Sequence, residues 1–448
     1  MRTGSSPLHA EQGRTQIPLK GICKFLDKEF GGLRGRARRL VSGGLFAAAL
    51  VALIAACPDR ARADETGPET EIFGEVELEG TFFFRDPQFA GQDRDSLSIA
   101  GQATFLAEWS GGDIAFKLTP FARYDIADDR RSRWDIREAK LDITQGDWSF
   151  TLGADTVFWG KTEAVHLVDI INQTDQAEAI DDEARLGQPM LRVGYLSEIG
   201  EFSAFYLPYF RERRFPGTSG RLRANPTVNT ARPVYDTGAR EWTPSFAARF
   251  AGTFGDIDLG LSAFRGLGRD PAFFFDGVNL RPFYEEITQA GVDAQYTSDA
   301  TLWKLEGIYR AGQRDGRFVE RNFGALTGGL EHTLFGILES NADLGLIAEY
   351  AWDSRGGNAL TPFQNDLILG TRLALNDEVD TSLLLTGALD MDDGSAGLRI
   401  EADRRIAPDW TVAVEGQAFL GLPRGTPGGA FADDSFLRLK LTYFFGDE

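Results

Sequence analysis

Residues 158–188, FWGKTEAVHLVDIINQTDQAEAIDDEARLGQ, gather His166 with the acids Glu163, Asp169, Asp175, Glu178, Asp181, Asp182 and Glu183. Such a set could supply a general base, hold a cation, or place charge where a solute meets it. Base catalysis needs a nucleophile within hydrogen-bond reach of the histidine, and neither His166 nor His332 sits in a local nucleophile signature. Two histidines this far apart also lack the spacing of a metal site. The run DMDDGSAGLRIE at 390–401 has calcium-type acids, but its glycine falls at the fifth place instead of the sixth. A tight Asp-Gly turn between two strands explains it better. No metal or cofactor is expected, and the chemistry left to the stretch is electrostatic.

The opposite charge comes from Lys117, Arg123, Lys140, Arg192, Arg249, Lys304, Arg310, Arg372, Arg399, Arg438 and Lys440. All fall on the polar side of runs in which apolar and polar residues alternate, the period of a strand with two different faces. FLRLKLTYFF near the C-terminus puts Leu437, Leu439, Leu441, Tyr443 and Phe445 on one face and Arg438, Lys440 and Thr442 on the other. WTVAVEGQAF, AGLRIEADR and IAFKLTPFARY divide in the same way. The expected strands are 72–84, 96–109, 114–125, 134–145, 147–157, 189–198, 202–210, 242–254, 257–265, 285–297, 301–311, 321–335, 343–352, 365–375, 380–391, 396–405, 410–420 and 434–445. Their number is about 18, with 16 as the alternative, because 202–210 and 321–335 alternate poorly.

The connections alternate between tight turns (SGGD, QGD, EIGE, GDI, TSDA, IAPD) and longer links such as 85–95, 157–188 and 211–241. Trp109, Tyr124, Trp148, Tyr296, Trp303, Tyr350, Trp410 and Tyr443 lie at strand ends, where a membrane-spanning sheet carries its interfacial rings. The pattern is all-β: a transmembrane antiparallel β-barrel. A lipid-facing Arg or Lys at the bilayer midplane costs about 2–4 kcal/mol, so the basic residues are expected to point into the lumen. Glu306, Glu401 and Asp403 are wall acids expected to pair with some of them.

The N-terminal part has the plan of a secretory signal peptide: basic RGRARR at 34–39, an apolar run to Cys57, and Ala61-Arg62-Ala63 as a small-x-small site. Residues 1–63 are therefore expected to be removed, leaving 64–448 as one barrel. Ile54-Ala55-Ala56-Cys57 also resembles a lipoprotein box, although Pro58 is awkward for one. Cleavage after Ala63 removes both cysteines, which excludes disulfides and thiol chemistry. The net charge of −20 argues against nucleic acid.

On these features the chain resembles a bacterial outer-membrane porin of a Gram-negative envelope. The resemblance implies a channel for passive diffusion of small hydrophilic solutes, assembled by the barrel-assembly machinery and surrounded by outer-membrane lipid and lipopolysaccharide. Either a monomer or a homotrimer is compatible with it. It also implies that 158–188, as the third external loop, folds inward and narrows the channel. Within that loop Thr162 suits the cap of a helical turn, Val165, Val168 and Ile171, with Leu167 nearby, suit its apolar face, and Asn172 suits its end. Its acids facing a basic wall make a transverse field, and the wall weakly favours organic anions. The basic segment RERRFPGTSGRLR at 211–223 could meet anionic solutes or lipopolysaccharide phosphates from an exposed loop. The alternatives are a barrel enzyme acting on envelope lipid and a structural or adhesive surface barrel.

Overall fold

The computed structural model describes residues 67–181 and 183–446. The signal peptide, Cys57, the cleavage site after Ala63 and Asp182 lie outside the described residues.

Eighteen antiparallel strands form one sheet. They are β1 (Glu69–Phe83), β2 (Ser96–Trp109), β3 (Ile114–Asp125), β4 (Arg133–Gln145), β5 (Trp148–Asp155), β6 (Gln188–Ser197), β7 (Gly200–Leu207), β8 (Ser245–Phe254) and β9 (Ile257–Leu267). They continue as β10 (Glu286–Ser298), β11 (Thr301–Arg314), β12 (Glu320–Leu334), β13 (Asp343–Asp353), β14 (Asn365–Ala374), β15 (Ser382–Asp390), β16 (Ala396–Ala407), β17 (Trp410–Leu420) and β18 (Phe436–Phe445). Each pairs with its neighbour in sequence, and β18 closes on β1 from Gly74↔Phe445 to Phe83↔Phe436. Closure leaves no sheet edge, which is what a spanning sheet requires in lipid. Every expected strand is present, including the two that alternate poorly.

One end of the barrel carries tight turns. The two-residue turns at 146–147 and 255–256 place Gly146 (φ 59°) and Gly255 (φ 64°) in the left-handed region that such hairpins demand. The other end carries nine connections, here called loops 1 to 9 in chain order, the longest of them loops 3 and 4. Exposed rings mark both ends of the outer face: Trp148, Tyr195, Tyr296, Trp303 and Trp410 near the turns, Trp134, Tyr206, Tyr309 and Tyr350 near the loops. Some stack across strands, as Trp148 on Tyr195 at 4.8 Å and Trp410 on Tyr443 at 4.9 Å between centroids. Between these rings, exposed Leu261, Leu305, Leu326, Leu346, Leu369 and Leu439 face outward. The apolar band with aromatic borders is the outer surface that a bilayer solvates.

The inner face differs around the circumference. On β6–β12 it carries Met190, Phe205, Leu207, Ala247, Phe264, Ile287, Ile308, Phe323 and Ala325, all buried together with Trp159, Val168, Ile170 and Ile171 of loop 3. Phe205 and Leu207 point in while Phe202 and Tyr206 point out, so β7 is apolar on both faces. The same holds for β12, with Phe323 and Ala325 inside and Leu326 outside. Poor alternation in these two strands therefore marks a wall that is apolar on both faces, packing against loop 3 inside and facing lipid outside. The charged inner face lies mainly on β1–β4 and β13–β18.

Candidate functional site: the inward loop and the charged lumen

Loop 3 (156–187) leaves β5 and runs inside the barrel. Its backbone is held by two wall carboxylates. Glu306 on β11, fully buried, accepts the N–H groups of Lys161 (2.6 Å), Thr162 (3.1 Å) and Val168 (3.3 Å), with the Thr162 hydroxyl at 2.8 Å. Glu349 on β13 accepts those of Glu163 (2.7 Å) and Ala164 (3.2 Å). These are the donors a helical turn would have used or left to a cap. Carboxylates satisfy them instead, and residues 158–172 form bends and turns without a helix. The expected helical turn is thus corrected, and Thr162 serves an anchor in place of a cap. Asn172 ties the two ends of the loop, accepting from Val157 N–H (2.8 Å) and donating to the carbonyls of Asp155 (2.8 Å) and Leu186 (2.9 Å). Of the expected apolar face, Val168 and Ile171 meet the wall with Leu167 alongside, and Ile170 joins them where Val165 does not.

The acids of loop 3 reach specific cations. Glu163 pairs with Arg372 on β14 at 2.7 Å, Glu178 with Arg123 on β3 at 2.7 Å, and Asp181 with Arg399 on β16 at 2.7 Å. Asp175 meets Arg133 on β4 at 2.5 Å and Arg214 at 3.5 Å. Asp169 binds Arg185 of its own loop at 2.7 Å. Burial pushes the Asp169 carboxyl up to about 7 despite Arg185. Burial also raises Glu178, but Arg123, Arg131 and Arg133 outweigh it and hold that carboxyl below its usual range. Glu183 is exposed and donates its N–H to Asp181 at 3.1 Å. His166 lies with Nδ1 4.0 Å from Glu306 and its ring edge-on to Phe158.

The remaining wall cations are paired along the wall. Lys117 meets Glu138 (2.7 Å), Lys140 Asp155 (2.9 Å), Arg249 Asp293 (2.8 Å), Lys304 Glu331 (2.9 Å), and Arg310 Asp270 (3.0 Å). Arg438 and Lys440 share Glu415 at 3.0 and 3.4 Å, and Arg192 pairs with Glu201. Glu401 pairs with Arg399 as expected, whereas Glu306 binds loop N–H groups and Asp403 takes the Ser382 hydroxyl. A bare basic wall facing an acidic loop is therefore not what forms; the surface is a lattice of mixed charge.

Sequence reasoning missed part of that lattice. Arg131 of loop 2 is buried and bonds Glu79 (2.6 Å) and Asp125 (2.9 Å). Arg137 on β4 lies 4.0 Å over the Phe121 ring with no carboxylate in ion-pair reach among the described residues. Loop 4 (208–244) crosses from β7 and β8 towards loops 1, 2 and 9: Gly217 N–H donates to Asp128 (2.8 Å), and Arg221 pairs with buried Asp434 (2.7 Å). Arg211 and Arg213 bind Asp135 (2.9 Å) and Asp270 (2.7 Å). The expectation of a solvated basic loop at 211–223 is corrected, since Arg211, Arg213, Arg214 and Arg221 meet carboxylates from other segments and Arg223 donates to the carbonyls of Thr218 and Ala224. The signal available was the density of acids in the links it reaches, such as Asp128 and Asp433-Asp434. Loops 3 and 4 and the wall border a pocket lined by Phe83, Asp125, Arg131, Ala177 and Leu222.

No known family profile matches the sequence, and no curated protein matches it. Among solved structures, OccAB1 of Acinetobacter baumannii aligns over 85% of this chain and 97% of its own, with 8% identity and a TM-score of 0.51. OccD3 (OpdP) of Pseudomonas aeruginosa aligns over 87% and 95%, with 8% identity and a TM-score of 0.49. The likeness to OccAB1 lies in the fold, a closed 18-strand antiparallel barrel.

Proposed function

We propose that this chain is a porin of the bacterial outer membrane, a non-enzymatic channel through which small hydrophilic solutes diffuse, with loop 3 as its constriction. The observation that carries the reading is the placement of loop 3. A closed barrel holds a loop against one inner wall by apolar packing, and the tip of that loop reaches charged groups on other walls. The remaining bore is lined by paired charges and the mouth is narrowed by loop 4, an arrangement that passes water and polar solutes and excludes large ones. The outer surface is solvated by membrane lipid and lipopolysaccharide, insertion depends on the barrel-assembly machinery, and a homotrimer is compatible with it.

A weak preference for organic anions belongs to the same proposal. The paired cations contribute little to it, so Arg137, stacked on Phe121 without a carboxylate, is its natural source. The test is planar-bilayer conductance of the refolded chain. The barrel conducts, deletion of residues 175–183 raises the conductance, and Arg137→Gln lowers the anion-to-cation permeability ratio. No conductance at any salt concentration sinks the channel reading.

A further inference from the structure

The large apolar side chains of loop 3 that face the wall are buried there, Trp159, Val168, Ile170 and Ile171 among them, and Phe158 stands apart from them. Its neighbour Trp159 is 5% exposed and packs edge-on to Phe205 at 5.6 Å, whereas Phe158 is 57% exposed. Phe158 is not on the lipid side. A Cβ on Gly160 would lie 3.1 Å from Phe158 Cζ, 3.0 Å from His166 Nδ1 and 3.2 Å from Glu306 Oε1. The far end of the ring therefore lies over Gly160, on the lumen side of β11 and in the neighbourhood of the fully buried Glu306 carboxylate.

The ring is also held in place. Val157 N–H is bound by Asn172 (2.8 Å), Trp159 is locked in the core, and Lys161 N–H is bound by Glu306 (2.6 Å). His166 backs the ring edge-on, with centroids 4.8 Å apart. An apolar ring kept exposed by a rigid backbone in a polar bore is unfavourable for the empty channel. It becomes favourable when a solute covers it, because aromatic faces attract one another beyond their buried area. Lys161, three residues on, has a long 3.8 Å contact to Asp258 as its ion pair among the described residues.

We propose that Phe158 is a stacking contact in the permeation path, through which the channel selects solutes that carry an aromatic ring. The inference rests on the channel reading and names the solute class that the loop would retain. Gly160 lets the ring lie down, and His166 fixes its tilt. The ring's exposed face is the part left for the solute.

The test uses L-tryptophan and L-serine, both zwitterions at neutral pH, added to single channels of the refolded chain. With the native protein, tryptophan produces resolvable current interruptions and serine does not. Phe158→Ala weakens the apparent tryptophan affinity by about three- to tenfold, and Phe158→Tyr restores it. Because the side chain is exposed, the barrel folds in all variants, which their heat-dependent gel mobility confirms. Equal tryptophan affinity in the native and Phe158→Ala channels overturns the proposal, as does equal interruption by serine. A barrel that does not conduct fails the channel reading alone. Equilibrium dialysis with tryptophan then decides: uptake lost in Phe158→Ala supports the stacking contact, and equal uptake refutes it.

Discussion

Loop 3 is held by two unlike halves of the same barrel. Its first half lies against β6–β12, where Val168, Ile170 and Ile171 share a dry core with Phe205, Phe264 and Ile308. Its second half lies against β3, β4 and β16, held by the Glu178–Arg123, Asp175–Arg133 and Asp181–Arg399 pairs. Apolar packing is insensitive to salt and to protonation, whereas the ion pairs are lost on protonation, and the partly exposed Asp181–Arg399 pair also weakens with salt. The difference gives the loop a fixed root and an adjustable tip. In the proposed channel such a loop keeps its root in place while its tip responds to the solution.

Three kinds of change separate the halves, the largest first. Ile171→Ala removes buried volume from the root and costs about 2–5 kcal/mol, read as a lower urea midpoint of the refolded barrel that is unchanged by added salt. Glu306→Ala strands the N–H groups of Lys161, Thr162 and Val168 and costs about 3 kcal/mol, with channel noise rising as the root detaches. Glu178→Gln at the tip costs about 1–3 kcal/mol, because the pair is largely buried while Arg123 keeps Glu77 and Glu79, and it raises conductance while lowering the urea midpoint less than the root variants. A root variant whose effect vanished in high salt would erase the distinction.

The two halves also respond to pH in opposite senses. The Glu178 carboxyl is depressed in the folded state, so its contribution is present at neutral pH and lost as pH falls through the depressed value, below the ordinary carboxylate range near about 4. Conductance of the native channel therefore rises on acidification, and Glu178→Gln shrinks that rise. Asp169 is raised to about 7, so its contribution is full at low pH and lost as pH rises from the ordinary range through about 7. Urea midpoints followed across that interval decline in the native barrel and flatten in Asp169→Asn.

The strands were legible because lipid and water demand opposite side chains on the two faces, and the alternation records both. β18 shows this best, with Leu437, Leu439 and Leu441 outward and Arg438 and Lys440 inward. The packed half was legible only as an irregularity: β7 and β12 alternated poorly because their inner faces meet Ile171 and its neighbours instead of water. The loop acids were found, but their partners were not, since pairing such as Glu163 with Arg372 joins residues remote in sequence. The helical spacing of Val165, Val168 and Ile171 misled because Glu306 and Glu349 compete for the N–H groups that a helix would use. Nothing local to 211–223 told an exposed basic loop from one drawn across the mouth, because that depends on Asp128, Asp270 and Asp434 arriving from other loops.

The central claim is that the tip of loop 3 lies in the path of the solute. Residues 64–448 contain no cysteine, so Asp181→Cys introduces a single thiol at that tip. Its modification by a bulky, water-soluble thiol reagent during single-channel recording is predicted to cut the conductance in one irreversible step. A labelled channel whose conductance equals that of the unlabelled one would contradict the account.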